Sequence, residues 1–182
     1  MRKLLCALSL MSALVFALAV HAAAPANFAG TWTLDKSKSQ GLNPRQQNAE
    51  SVSWVITQTE KEITIEEKVT GGTPPAGGAP GGGGGNRGGM GGLFGPRTFS
   101  LDGSETSGDT GRGKYVRKAT VAGDGKTIEL VTKSTFAGPD GNEITTNSSD
   151  KLQLSADGKV LTVNRHSESP RGKQEATLVF NK

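Results

Sequence analysis

From residue 28 onward, apolar and polar residues alternate with a period of two over most of the chain, the signature of strands with one buried face. Val52, Trp54 and Ile56 share one face of a strand predicted over 51–57, and Ile63, Ile65 and Val69 one face of a strand over 62–70. Further strands are predicted at 28–35, 98–101, 114–122, 127–136, 143–154, 160–166 and 174–180. In the fifth, Tyr115, Ala119 and Val121 fall together; in the sixth, Ile128, Leu130 and Phe136; in the last, Ala176, Leu178 and Phe180. Residues 43–49 are the one stretch that reads as a short helix. Asp102-Gly103, Asp124-Gly125, Asp140-Gly141 and Asp157-Gly158 supply residues that tolerate the positive φ of tight hairpin turns.

Hairpins between consecutive strands make neighbours in sequence neighbours in space. The pattern predicts an all-β fold, an up-and-down antiparallel barrel of eight or nine strands. Closure removes the exposed edges that a sheet of this size would carry, and about eight strands leave a lumen filled by side chains or by one small ligand. A two-sheet sandwich would need long crossovers, and none is evident. Aromatic content of 5% and many Ser and Thr at inward positions imply a narrow or partly polar interior.

Two segments depart from the alternation. Residues 1–22 have the layout of a cleaved export signal: Arg2 and Lys3, an apolar run from Leu4 to Val20, then small residues at the cleavage positions. The run is slightly short for a membrane span. Its removal leaves a single domain over 23–182, exported to a periplasm or the extracellular medium, with no stable membrane insertion. Residues 71–97 hold 14 of the 26 glycines and four of the eight prolines. So little apolar material predicts a disordered or mobile insertion in the barrel, with Met90, Leu93 and Phe94 as a small apolar cluster near its end.

Charge and chemistry narrow the function classes. The signal carries two cations, so the formal charge falls from +4 for the whole chain to +2 for the mature one. Charges of both signs are interspersed, which points away from nucleic acid and anionic membrane. Cys6 is the only cysteine and lies in the signal, so the mature chain has no disulfide and no thiolate chemistry. His166 stands alone, and no His, Cys or Asp cluster predicts a metal site or cofactor. Ser167 and Glu168 next to His166 alternate faces along a strand and form no nucleophile–base pair. The reading is therefore not an enzyme.

Glu67 has inward parity, unlike Glu60, Glu62 and Glu66. It is either a polar ligand contact or a partner for a neighbouring cation such as Arg117 or Lys118. Trp54 and Tyr115 fall on inward faces, where large amphipathic rings either pack the core or line a ligand site.

The run Phe28-x-Gly30-x-Trp32 on the first strand, ahead of a hairpin meander, resembles the lipocalin and avidin (calycin) group of ligand-binding barrels, including lipocalin-like proteins secreted by bacteria. That resemblance implies that Gly30 and Trp32 close one end of the barrel, with Trp32 stacked under a cation from near the final strand. Arg165 and Arg171 both match that cation by position. It further implies binding of a small apolar or amphipathic ligand at the other end. The alternative is a cell-envelope interaction protein that uses the barrel as a scaffold and the glycine-rich segment as its contact.

Overall fold

The computed structural model describes residues 25–71, 95–109, 113–138, 141–170 and 172–182. Residues 1–22, most of the glycine-rich segment with Met90, Leu93 and Phe94, Asp140, and Arg171 lie outside the described residues. Among the described residues, ten strands and one short helix follow in the order β1 (Gly30–Leu34), α1 (Pro44–Asn48), β2 (Ser51–Gln58), β3 (Glu62–Thr70), β4 (Arg97–Ser100), β5 (Thr106–Asp109), β6 (Gly113–Val121), β7 (Thr127–Ala137), β8 (Glu143–Leu154), β9 (Val160–Ser169) and β10 (Gly172–Asn181). All pair antiparallel in one sheet, in the order β4-β3-β2-β1-β10-β9-β8-β7-β6-β5. The sheet curls until β4 lies against β5 and β6, where the Thr106 hydroxyl donates to the Thr98 carbonyl at 3.5 Å. The result is a nearly closed up-and-down barrel. The tenth strand is β5, which pairs along β6 although its Thr-Ser-Gly-Asp sequence has no apolar residue to alternate.

Because consecutive strands run antiparallel, their connections fall alternately at two ends. The turns between β2 and β3, β4 and β5, β6 and β7, and β8 and β9 gather at one end with Ala26 and Lys182. Backbone hydrogen bonds tie this end together: Ala26 N–H to Gly125 O at 2.6 Å, Leu101 N–H to Lys61 O at 2.7 Å, and Lys182 N–H to Lys159 O at 3.1 Å. Within the turns, Asp102, Asp124 and Asp157 each accept a backbone amide two residues on. Hydrogen bonds hold all three carboxyls below the usual aspartate range, chiefly from the Ser104 side chain for Asp102, the Lys126 amide for Asp124 and the Ser155 hydroxyl for Asp157.

The core fills this tied end. Phe28, Trp32, Trp54, Ile56, Ile63, Phe99, Ile128, Leu152, Leu161 and Phe180 are all essentially inaccessible to solvent. Trp32 donates its indole N–H to the Phe28 carbonyl at 2.8 Å, and the Phe28 amide donates to the Gln58 side chain at 2.8 Å. The plug therefore satisfies its own polar groups, as burial demands.

At the other end the chain between β1 and α1 folds back along β10. The Asp35 amide donates to Val179 O, and Gln40 and Thr177 exchange both backbone bonds. The strap then enters α1 through an Asn43 cap, whose side chain and that of Gln46 each accept the other's backbone amide. Gly41 sits at the crossing with φ +69°, and an added Cβ there would lie 2.3 Å from the Glu175 carbonyl oxygen. We expect Gly41→Ala to lower stability by about 1–3 kcal/mol and to speed hydrogen exchange at the Thr177 amide, because both conformation and space are lost. Urea denaturation within about 0.5 kcal/mol of the wild type would show that the strap gives way at no cost.

Candidate functional site

Along five adjacent strands, the inward positions change from apolar to polar on the way from the plugged end to the open one. On β7, Ile128 and Leu130 give way to Thr132 and Ser134; on β8, read backward, Leu154 and Leu152 give way to Asp150 and Ser148. On β9, Leu161 and Val163 precede Arg165 and Ser167; on β10, Phe180 and Leu178 are followed upward by Ala176 and Gln174. On β6, Ala119 gives way to Arg117 and Tyr115. Side chains of one parity point inward on a strand, so the register converts this switch into a polar ring above a dry core. Inside the ring lies a cavity of about 350 Å³.

Beneath the cavity, Asp150 is buried at 1% exposure between two cations. It accepts from Arg165 Nε at 2.7 Å and Nη2 at 3.0 Å, and from Arg97 Nη1 at 3.0 Å. Burial works to raise its pKa, but the two guanidinium groups outweigh burial and hold the carboxyl below the ordinary range. Trp54 forms the floor under this triad, fully buried, with the Arg97 and Arg165 guanidinium carbons 5.5 and 5.6 Å from its ring. Its indole N–H donates to Glu67 Oε2 at 3.1 Å, and its ring meets Phe180 at 4.9 Å, tilted by 36°.

On the opposite wall, the Arg117 guanidinium stacks on the Tyr115 ring, 3.9 Å from Cζ to centroid, and lies 5.8 Å from the Phe99 ring. Arg117 is only 9% exposed, and its Nε hydrogen has no acceptor. Burial lowers its pKa from the usual value; the Tyr115 hydroxyl opposes that, and the like charge of Arg97 adds to it. Arg97, Lys114, Arg117 and Arg165 border the cavity against Glu67 in its wall and Asp150 below, a surplus of two positive charges.

Of the residues singled out from sequence, Glu67, Tyr115 and Arg165 line the cavity; Trp54 does not reach it and lies fully buried beneath the Arg97 and Arg165 guanidinium groups. Arg165 does not lie over Trp32. It belongs to the Asp150 triad, because Ala176, its cross-strand partner, sits well above the level at which β10 meets β1. The cation over Trp32 is Lys182, with Nζ 5.1 Å from the ring and its aliphatic chain passing over Gly30. Gly30 opens β1, and Trp32 is fully buried in the plug. Arg97, Arg117 and Asp150 were not singled out as site residues, although each has the parity of apolar neighbours on its strand. His166 lies outside the barrel, exposed, 3.3 Å from Glu175.

No protein-family profile matches the chain, and no curated protein matches it. Among solved structures the chain is similar to the zebrafish ileal bile acid-binding protein complexed with cholic acid. The TM-score is 0.45 at 14% identity, over 85% of this chain and 98% of that one.

Proposed function

We propose that this protein is an exported, non-enzymatic, lipocalin-like barrel that binds a small amphipathic ligand in the cavity above Trp54. The observation that supports it is the division of the interior: a plugged, fully packed half, and a half that keeps a cavity of about 350 Å³ ringed by polar side chains. That volume lies at the lower end of the range for small-molecule sites. A fold selected only for stability gains nothing by leaving such a space and placing three arginines around it, since close packing is the ordinary state of a protein interior. Binding is driven by removing apolar ligand surface from water, and the ring of polar groups sets orientation. Export rests on the signal-like residues 1–22.

Two measurements test this reading. Purification from the exported fraction, followed by native mass spectrometry, is expected to recover the chain without its first 22 or so residues and with a reproducible small molecule bound. An uncleaved chain confined to the cytoplasm would sink export. Should a panel of single-chain amphiphiles at millimolar concentration leave the melting temperature of the purified protein unmoved, the binding reading goes with it.

A further inference from the structure

Resting on the reading of the cavity as a ligand site, we infer that Arg117 is its anion-binding centre and that the ligand carries a carboxylate, phosphate or sulfate group. The three cavity arginines are not equivalent. Arg97 and Arg165 both hydrogen-bond Asp150, so each has a fixed anionic partner within 3.0 Å. Arg117 has none: among the described residues no carboxylate pairs with it, and its Nε–H is buried without an acceptor. A guanidinium stays charged at any physiological pH, so it cannot relieve that burial by losing its proton. Leaving it unpaired disfavours the folded state, and an anion arriving from outside removes the penalty.

The placement suits the task. Tyr115 covers one face of the guanidinium, which leaves the in-plane N–H groups as the directions still open for bonding. A planar anionic group accepts two such donors side by side, the strongest arrangement available to arginine. Thr132, the cross-strand partner of Arg117, and Ser148 beyond it put hydroxyl donors on the same inner wall. Glu67 lies across the cavity on β3 and Asp150 one level below Ser148 on β8, each already bonded, to Trp54 and to the two remaining arginines. The ligand's charged head is thus directed to Arg117 on the β6–β7 wall, and its apolar part extends away from it toward the mouth.

The test is calorimetric titration of the mature protein at pH 7.5 with octanoate, octyl phosphate, octyl sulfate, octan-1-ol, octylamine and inorganic phosphate. At least one octyl anion is expected to bind about tenfold or more tightly than octan-1-ol, with octylamine weakest. The rank of the three anions identifies the head group, and inorganic phosphate matching octyl phosphate would assign a free anion in place of an amphiphile. Arg117→Met is expected to erase the preference of anion over alcohol while leaving the ligand-free melting temperature equal or higher, whereas Arg117→Lys keeps part of the preference. In the wild-type protein the Arg117 Nε–H resonance is expected to shift with the preferred anion and not with octan-1-ol, which tests the site even if a variant fails to fold. Equal binding of anions and octan-1-ol, or a preference that survives Arg117→Met, overturns the anion centre and leaves the amphipathic reading standing. No binding by any probe overturns both.

Discussion

Asp150→Asn is expected to lower the stability of the folded protein by about 3–5 kcal/mol at neutral pH, and its melting temperature by about 10–20 °C. The change is isosteric, so the loss comes from charge. Arg97 and Arg165 share this one carboxylate, and Asp150 is almost completely buried between them. Removing one member of a buried ionic group leaves the others desolvated and uncompensated, which costs far more than an exposed ion pair ever contributes. The same variant carries a pH signature. In the folded protein the two arginines hold the Asp150 carboxyl below the value of about 3.9 expected for an unfolded chain. A group with a depressed folded pKa contributes its stabilisation in full above the unfolded value and loses it as pH falls toward the folded one. The gap between wild type and Asp150→Asn should therefore be constant from pH 7 to about pH 4 and narrow below it. Asp35, Asp102, Asp124 and Asp157, whose carboxyls are also depressed, remain in both proteins and cancel from the difference. Urea denaturation from pH 3 to 7 reads this directly: a flat offset would mean that folding leaves the Asp150 pKa unchanged, and one that widens as pH falls that the carboxyl is neutral in the folded state.

That triad also marks where the sequence stops being legible. Period-two alternation locates nine strands, and parity alone sorts Val52, Trp54 and Ile56 from their outward neighbours, because one buried face is enough to impose the pattern. Thr106–Asp109 escapes it because a short strand beside the seam of the barrel buries no apolar side chain; its pairing follows from β6, not from its own residues. The polar upper half was foreshadowed by Ser and Thr at inward positions, and the same parity places Arg117 between Tyr115 and Ala119 on the inner face. What no local pattern carries is the pairing across the lumen. Arg97 and Asp150 are 53 residues apart on strands that are not neighbours in the sheet, and they meet only because closure brings β4 opposite β8. The cation over Trp32 escapes for a related reason. The resemblance to lipocalins implies a cation near the last strand, and Arg165 and Arg171 both match it by position. The contact belongs to Lys182, the final residue, because β10 meets β1 through Asn181 and Phe180 and carries the terminus over Gly30.

The division of the barrel into a plug and a cavity makes its two tryptophans a matched pair for experiment. Trp32→Ala is expected to cost about 3–5 kcal/mol, the range for emptying a fully buried large aromatic site. Phe28, Gln58 and the Lys182 chain pack around it in a closed end tied by turn-to-turn hydrogen bonds, which limits collapse into the vacated space. Trp54→Ala removes a similar volume and is expected to cost a similar amount, since its ring is also fully buried. The two differ in what the missing ring exposes. Trp32 faces the plug, so the folded fraction of Trp32→Ala should bind an octyl anion with the affinity of the wild type. Trp54 lies under Arg97 and Arg165 and holds Glu67 by its indole N–H, so its loss deepens the cavity and frees a carboxylate in the wall. A freed anion near the cavity opposes an anionic ligand, and we expect affinity to fall about tenfold in Trp54→Ala. Denaturation curves give the stability of each variant, and calorimetry below its melting temperature gives the affinity. Equal losses of stability with a loss of affinity confined to Trp54→Ala are the outcome the geometry requires. A fall in affinity from Trp32→Ala would mean that the plug and the cavity are coupled and that the floor at Trp54 does not isolate one from the other.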